Sequence, residues 1–113
     1  MQPLSLTTLV DRQLDAARRA TSGRSAHTVR GGRGNVLHQT LLALVAGQGL
    51  EEHESPGEAT LQILHGRALL ATAQDSWEGA AGDYLEIPPQ RHTLRAIEDC
   101  AVLLTVVVPG PAG

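Results

Sequence analysis

The stretch that decides the fold reads Gly47-Gln-Gly-Leu-Glu-Glu-His53-Glu-Ser-Pro-Gly-Glu58-Ala-Thr-Leu-Gln62-Ile-Leu-His-Gly66. It is followed, after 15 intervening residues, by Gly82-Asp83-Tyr-Leu-Glu-Ile-Pro88-Pro89-Gln-Arg-His92. Gly47 and Gly49 turn the chain, and Ser55-Pro56-Gly57 turns it again. From 59 to 64 the residues alternate, with Ala59, Leu61 and Ile63 on one side and Thr60 and Gln62 on the other. A period of two marks a strand with one buried face. His65-Gly66 ends that strand. In the second stretch Gly82-Asp83 is a turn and residues 84–87 a strand, stopped at Pro88-Pro89 because proline has no N–H to give a ladder.

The same texture extends outward. Residues 36–46 form a long apolar run, apolar on both faces for much of its length, as expected of a strand inside a two-sheet barrel. Residues 67–73, 76–81 and 92–97 predict further short strands, and 101–108 a strongly β-branched last one. Seven or eight strands with a turn about every eight to ten residues predict a sandwich or barrel. Upstream the period changes. Leu6, Leu9, Val10, Leu14 and Ala17 recur at three- and four-residue spacing and predict a helix, with Thr7 or Thr8 as its cap and Gly23 as its stop. Residues 22–35 read as a connector or an early edge strand. The Gly31-Gly32-Arg33-Gly34 run lacks the Gly-Lys-Ser/Thr ending of a phosphate loop. The outline is therefore a helix and basic connector over 1–34, a barrel over 35–108 and a loose tail over 109–113.

The 113 residues suffice for one core, and 42% of them are apolar. There is no Phe, one Trp and one Tyr, so that core is built from Leu, Val, Ile and Ala. All nine basic residues are arginines; six fall within 1–34 against two acids, and three fall in the remainder against ten acids. Such asymmetry suits a basic arm lying on an acidic barrel, its own or a partner's. Nucleic acid is not the expected partner, because no aromatic residue interleaves with the arginines and no helix-turn-helix pattern follows them. Cys100 is the only cysteine, which suits a reducing compartment. The sequence carries no secretory signal pattern and no apolar run of membrane-spanning length, so a cytoplasmic protein with no membrane partner is expected.

The two quoted stretches resemble the two motifs of the cupin family. The first is a glycine, five residues, His-x-His, three or four residues, a glutamate, six residues and a glycine; Gly47, His53 and Gly66 fall in place. The second is Gly-Asp, four residues, a proline, a short loop and a histidine, matched by Gly82, Asp83, Pro88 and His92. The resemblance covers roughly residues 36–108. It implies an all-β fold, the cupin double-stranded β-helix or jelly-roll barrel, here preceded by one N-terminal α-helix as in a group of small, mostly uncharacterised bacterial cupins. It also implies a homodimer and a pocket open at one end of the barrel.

Cupins that bind a metal supply three histidines and a glutamate. Here the second histidine would fall at Ser55 and the glutamate at Ala59, with Glu58 one place early. The resemblance thus offers His53 and His92 as ligands for a divalent first-row ion (Fe, Mn, Ni, Cu or Zn), joined by Glu58 or Gln62 if the strand after 57 is set one residue out of its apolar register. A one-residue slip exchanges the inward and outward sets. The opposite register buries Ala59, Leu61 and Ile63, and a bulge between Glu58 and Ala59 would reconcile the two. Three readings follow as expectations. One is a small cupin binding a small molecule in the barrel, through such a metal, with metal-dependent oxidation or isomerisation as the reaction class. Another is a non-catalytic metabolite-binding or sensory module whose arginine-rich arm contacts a partner. A third is a barrel whose pocket is filled by its own side chains.

Overall fold

The alternation along 59–64 sets the architecture, because it gives one strand a fully apolar inward face. The computed structural model describes residues 1–54 and 57–108, with the backbone alone for Glu52 and His53. These residues form helix α1 (Leu6–Arg19) and strands β1 (Arg24–Arg30), β2 (Leu37–Leu44), β3 (Gly49–His53), β4 (Ala59–His65), β5 (Arg67–Ala71), β6 (Ser76–Ala80), β7 (Tyr84–Glu86), β8 (His92–Ala96) and β9 (Cys100–Val107). A five-stranded sheet has the order β1-β2-β9-β4-β7 and a four-stranded sheet the order β3-β8-β5-β6, every pairing antiparallel. The fold is the expected one: mostly β, two packed sheets and one N-terminal helix.

Between the sheets lie Leu44, Leu61, Ile63, Ala68, Leu70, Leu94, Ala96, Cys100 and Val102, with Trp77 and Leu85 packed against them. The second cluster lies outside the five-stranded sheet, where Leu9, Val10, Leu14 and Ala17 of α1 cover Leu41, Ala43 and Ala101. This explains why β2 is apolar on both faces. Leu42 and Leu44 point into the barrel, while Leu41 and Ala43 point at the helix. A 14-residue helix is marginal on its own in water, so this burial is what holds it.

One detail of the N-terminal region differs from the sequence reading, and one choice left open there is resolved. The helix cap is Ser5, whose hydroxyl accepts from the Thr8 N–H at 3.2 Å, because the helix begins before the threonines rather than after them. Of the two readings of residues 22–35, connector or early edge strand, the structure has the edge strand: β1 pairs with β2 along its length and extends the sheet. Its outward side meets the helix: the Ser25 hydroxyl donates to the Gln13 carbonyl at 2.7 Å, and Val29 packs into the helix cluster. The tail assigned to 109–113 lies outside the described residues. Among the described residues no helix is long and apolar enough to cross a membrane.

The β8–β9 turn ties these layers together through Asp99. One carboxylate oxygen accepts from the Ala46 N–H at 2.8 Å and the other from Arg18 Nε at 2.9 Å. The Gly66 backbone, at φ +77°, passes so close to the Asp99 carbonyl that a Cβ would collide with it. The Ala46 hydrogen bond first, and the Arg18 guanidinium second, hold the Asp99 carboxyl below the usual carboxylate range. A carboxyl lowered on folding adds stability that is present above its unfolded pKa and lost as pH falls through the folded one. We therefore expect Asp99→Asn to be less stable than wild type at pH 7, with the gap shrinking as the pH falls below about 4. Urea unfolding across pH 2.5–7 checks this; a gap independent of pH would show that the charge of Asp99 has no part in it.

Candidate functional site

His92 opens β8 and is 2% exposed, the one buried polar or charged side chain among the described residues. Its Nδ1 lies 3.0 Å from the Gln90 carbonyl oxygen. A carbonyl only accepts, so in this contact Nδ1 is the donor, which fixes the orientation of the ring. The surroundings are Leu42, Leu50, Leu61, Leu70, Ile87, Leu94 and Leu104, contributed by both sheets. They leave a cavity of about 10 Å³, room for one water at most.

His53 ends β3. Its backbone is the direct cross-strand partner of His92, reached across an irregularity between the Leu50–Leu94 and His53–His92 pairs. The fold thus brings the backbones of both motif histidines to one end of the barrel.

Glu58 and Gln62 are not brought there. The β4–β9 ladder runs in register from Ala59 opposite Val106 to Ile63 opposite Val102, and its irregularity falls between Ile63 and His65, not at 58–59. Ala59, Leu61 and Ile63 face the core, so Thr60 and Gln62 lie on the other side of the sheet, half-buried. Glu58 is exposed and lines a surface depression with Thr60, Tyr84, Glu86, Thr105 and Val107. The physical reason is the apolar alternation itself, since turning Glu58 and Gln62 inward would bury two polar groups and expose three apolar ones. Ser55, where a second histidine would stand, lies outside the described residues.

A catalytic divalent ion generally takes three protein ligands. Among the described residues no group of three or more His, Cys, Asp or Glu side chains could hold a metal ion. The described side chains lining the space beside His92 are otherwise aliphatic and supply no further donor. This donor set does not fit the three-histidine, one-glutamate centre that the family resemblance implies.

The remaining candidates resolve as follows. His27 and His65 are exposed. His38 Nε2 lies 2.9 Å from the Asn35 carbonyl, as part of the loop before β2. Cys100 is fully buried, and burial first, then the charge of Asp99, pushes its thiol up to about 11, which makes it a poor nucleophile. The sequence reading missed two flanking grooves. One, of about 550 Å³, runs between β1 and β3 under Arg24 and Arg95, whose guanidinium Nη1 atoms lie 3.4 Å from the Gly49 and Gly47 carbonyls. The other, of about 200 Å³, lies beside Trp77. Trp77 itself packs against the inter-sheet core. Only the pairing of distant strand edges creates these grooves, so no local pattern announces them.

No protein-family model matches this sequence, and no curated protein matches it. Solved structures do. A conserved protein of unknown function from Streptococcus pyogenes is 30% identical over 81% of this chain and 80% of its own, with a TM-score of 0.72. A cupin superfamily protein from Desulfitobacterium hafniense is 17% identical over 96% of this chain and 92% of its own, with a TM-score of 0.76. An RmlC-like cupin from Desulfovibrio desulfuricans is 21% identical over 95% of this chain and 96% of its own, with a TM-score of 0.71.

An imidazole among leucines does little for packing that a leucine would not do. His92→Leu is therefore expected to keep the fold and to change unfolding free energy by no more than about 1.5 kcal/mol, since the exposed Gln90 can turn its carbonyl to water. Urea unfolding of the variant checks this; a loss several-fold larger would make His92 a structural residue.

Proposed function

We propose, from the premise that this chain is a member of the cupin superfamily, that it is a non-catalytic module binding a small molecule at the His92 end of its barrel. The observation that carries the reading is the buried imidazole set in an aliphatic wall, with Glu58 and Gln62 on the other side of the sheet. One oriented polar group in an apolar surround is the usual composition of a small-ligand site. The ligand this suits has one polar head to meet the His92 imidazole, exchanging for the ring's present contacts, and a short aliphatic part that displaces leucine side chains.

The second reading is a metal-loaded barrel, and the register of His53 opposite His92 favours it. With both imidazoles on one ion, substrate would take the open positions, and oxidation or isomerisation would be the chemistry the ion supplies.

One experiment separates the two. Elemental analysis of the untagged protein is paired with methyl and imidazole NMR during titration with hexanoate. The proposal expects less than stoichiometric first-row metal. It also expects hexanoate to shift the His92 ring and the Leu50, Leu70 and Leu104 methyls, an effect abolished in His92→Leu. One Fe, Mn, Ni, Cu or Zn per chain, lost in the His53→Ala/His92→Ala double variant, would replace it with the metallo-cupin reading. A metal-free protein whose His92 ring is untouched by hexanoate would leave the filled-barrel reading instead.

The same premise supports a homodimer. Beyond the helix, the outer face of the five-stranded sheet leaves Tyr84 57% and Val107 39% exposed, large apolar surfaces for a monomer of this size. Light scattering after gel filtration is expected to give twice the mass of one chain, and Tyr84→Glu to shift it toward one; a wild-type monomer at 100 µM would rule the dimer out.

A further inference from the structure

The flank between strand edges β6 and β7 combines features that the His92 site does not use. A cleft of about 200 Å³ opens there, walled by Leu70, Trp77, Leu85 and Pro88, with Asp75 and Glu86 at its rim. Trp77 is the chain's single tryptophan, in a protein with only one other aromatic residue. It is half-buried, and its six-membered ring lies across the Cα of Gly79, where any side chain would collide with it. The ring is therefore held by the strand that carries it.

The rim is built as firmly. Residues 72–75 close the β5–β6 hairpin through the Thr72 N–H donating to the Asp75 carbonyl at 2.8 Å and the Asp75 N–H donating to Thr72 Oγ1 at 3.1 Å. Asp75 Oδ1 in turn accepts from the Ser76 N–H at 2.8 Å, which fixes the carboxylate at the mouth of the cleft. Glu86, at the end of β7, lines this cleft as well as the depression beside Thr60, and among the described residues its carboxylate has no ion pair. No arginine or histidine lines the cleft. An apolar floor, an indole wall and two carboxylates without a cation between them have the composition that recognises an alkylated ammonium.

We propose that this cleft binds a small organic cation, an alkylated ammonium seated against Trp77 between Asp75 and Glu86. Its volume is below that of pockets for drug-sized molecules, so the ligand is small. The site is separate from the His92 end and stands whether or not the barrel interior binds anything.

The chain reports on the site itself, because all tryptophan emission comes from Trp77. The full-length protein is titrated with choline, with tetramethylammonium, with sodium chloride at matched ionic strength, and with 3,3-dimethylbutan-1-ol, the uncharged isostere of choline. The expected result is a saturable change in Trp77 emission with both ammonium ions only. Glu86→Gln is expected to weaken them by roughly three- to tenfold at an unchanged unfolding midpoint. Three outcomes would each overturn the proposal: no saturable response to either ammonium ion, equal midpoints for choline and its neutral isostere, or unaltered affinity in a folded Glu86→Gln protein.

Discussion

Everything in this molecule hangs on the last strand. Cys100–Val107 is hydrogen-bonded to β2 on one edge and to β4 on the other. Its inward residues Cys100 and Val102 belong to the inter-sheet core, and Ala101 lies under the helix. A strand paired on both edges and covered on both faces has no freedom of register, because any slip would move apolar groups out of two cores at once. It therefore fixes β2 and β4, and through them the helix on the outside and the barrel interior on the inside. The chain has no phenylalanine with which to fill space, so the sheets are held together mainly by aliphatic side chains, with Trp77 packed against them.

That constraint reaches the site through β4. Once Ala59, Leu61 and Ile63 are set against β9, the positions between them face away from the barrel whatever their chemistry. The loss of the family's glutamate at position 59 is thus more than a missing ligand. An alanine there lets the strand settle in its best apolar register, and the neighbouring Glu58 cannot substitute without a bulge that the ladder does not contain. Among the described side chains, that end of the barrel holds an imidazole oriented by the Gln90 carbonyl among leucines. An orienting hydrogen bond at Nδ1 is what histidine needs to present Nε2 in one direction, whether to a ligand's proton or to an ion.

Much of this was legible beforehand because it rests on local pattern. The two-residue period of 59–64, the Gly82-Asp83 turn and the proline stop at 88–89 are short-range signals, and the structure follows each of them. The double-faced apolarity of 36–46 was also visible, but its cause was not. The outer half of that pattern belongs to the helix, which only the tertiary arrangement brings there. The cap at Ser5 was missed, and the strand at 24–30 stood level with a connector, for a related reason. Serine, threonine and arginine tolerate caps, edges and connectors alike, and the choice is made by β2 and Gln13, which lie elsewhere in the chain. The place of Trp77 was not legible, because nothing in its own segment says which face of β6 will meet the opposite sheet.

The joining of helix, first edge strand and barrel bears on how the protein is handled. The change of texture near residue 35 invites a cut there, as if the basic segment were an appendage. Removing it would strip β2 of its neighbour and lay bare Leu41, Ala43 and Ala101, leaving a long apolar strand with an unpaired edge. Such an edge is a template for pairing with other chains. The truncated barrel would be expected to aggregate rather than to report on the pocket, so the N-terminal segment is a solubility element as much as a structural one.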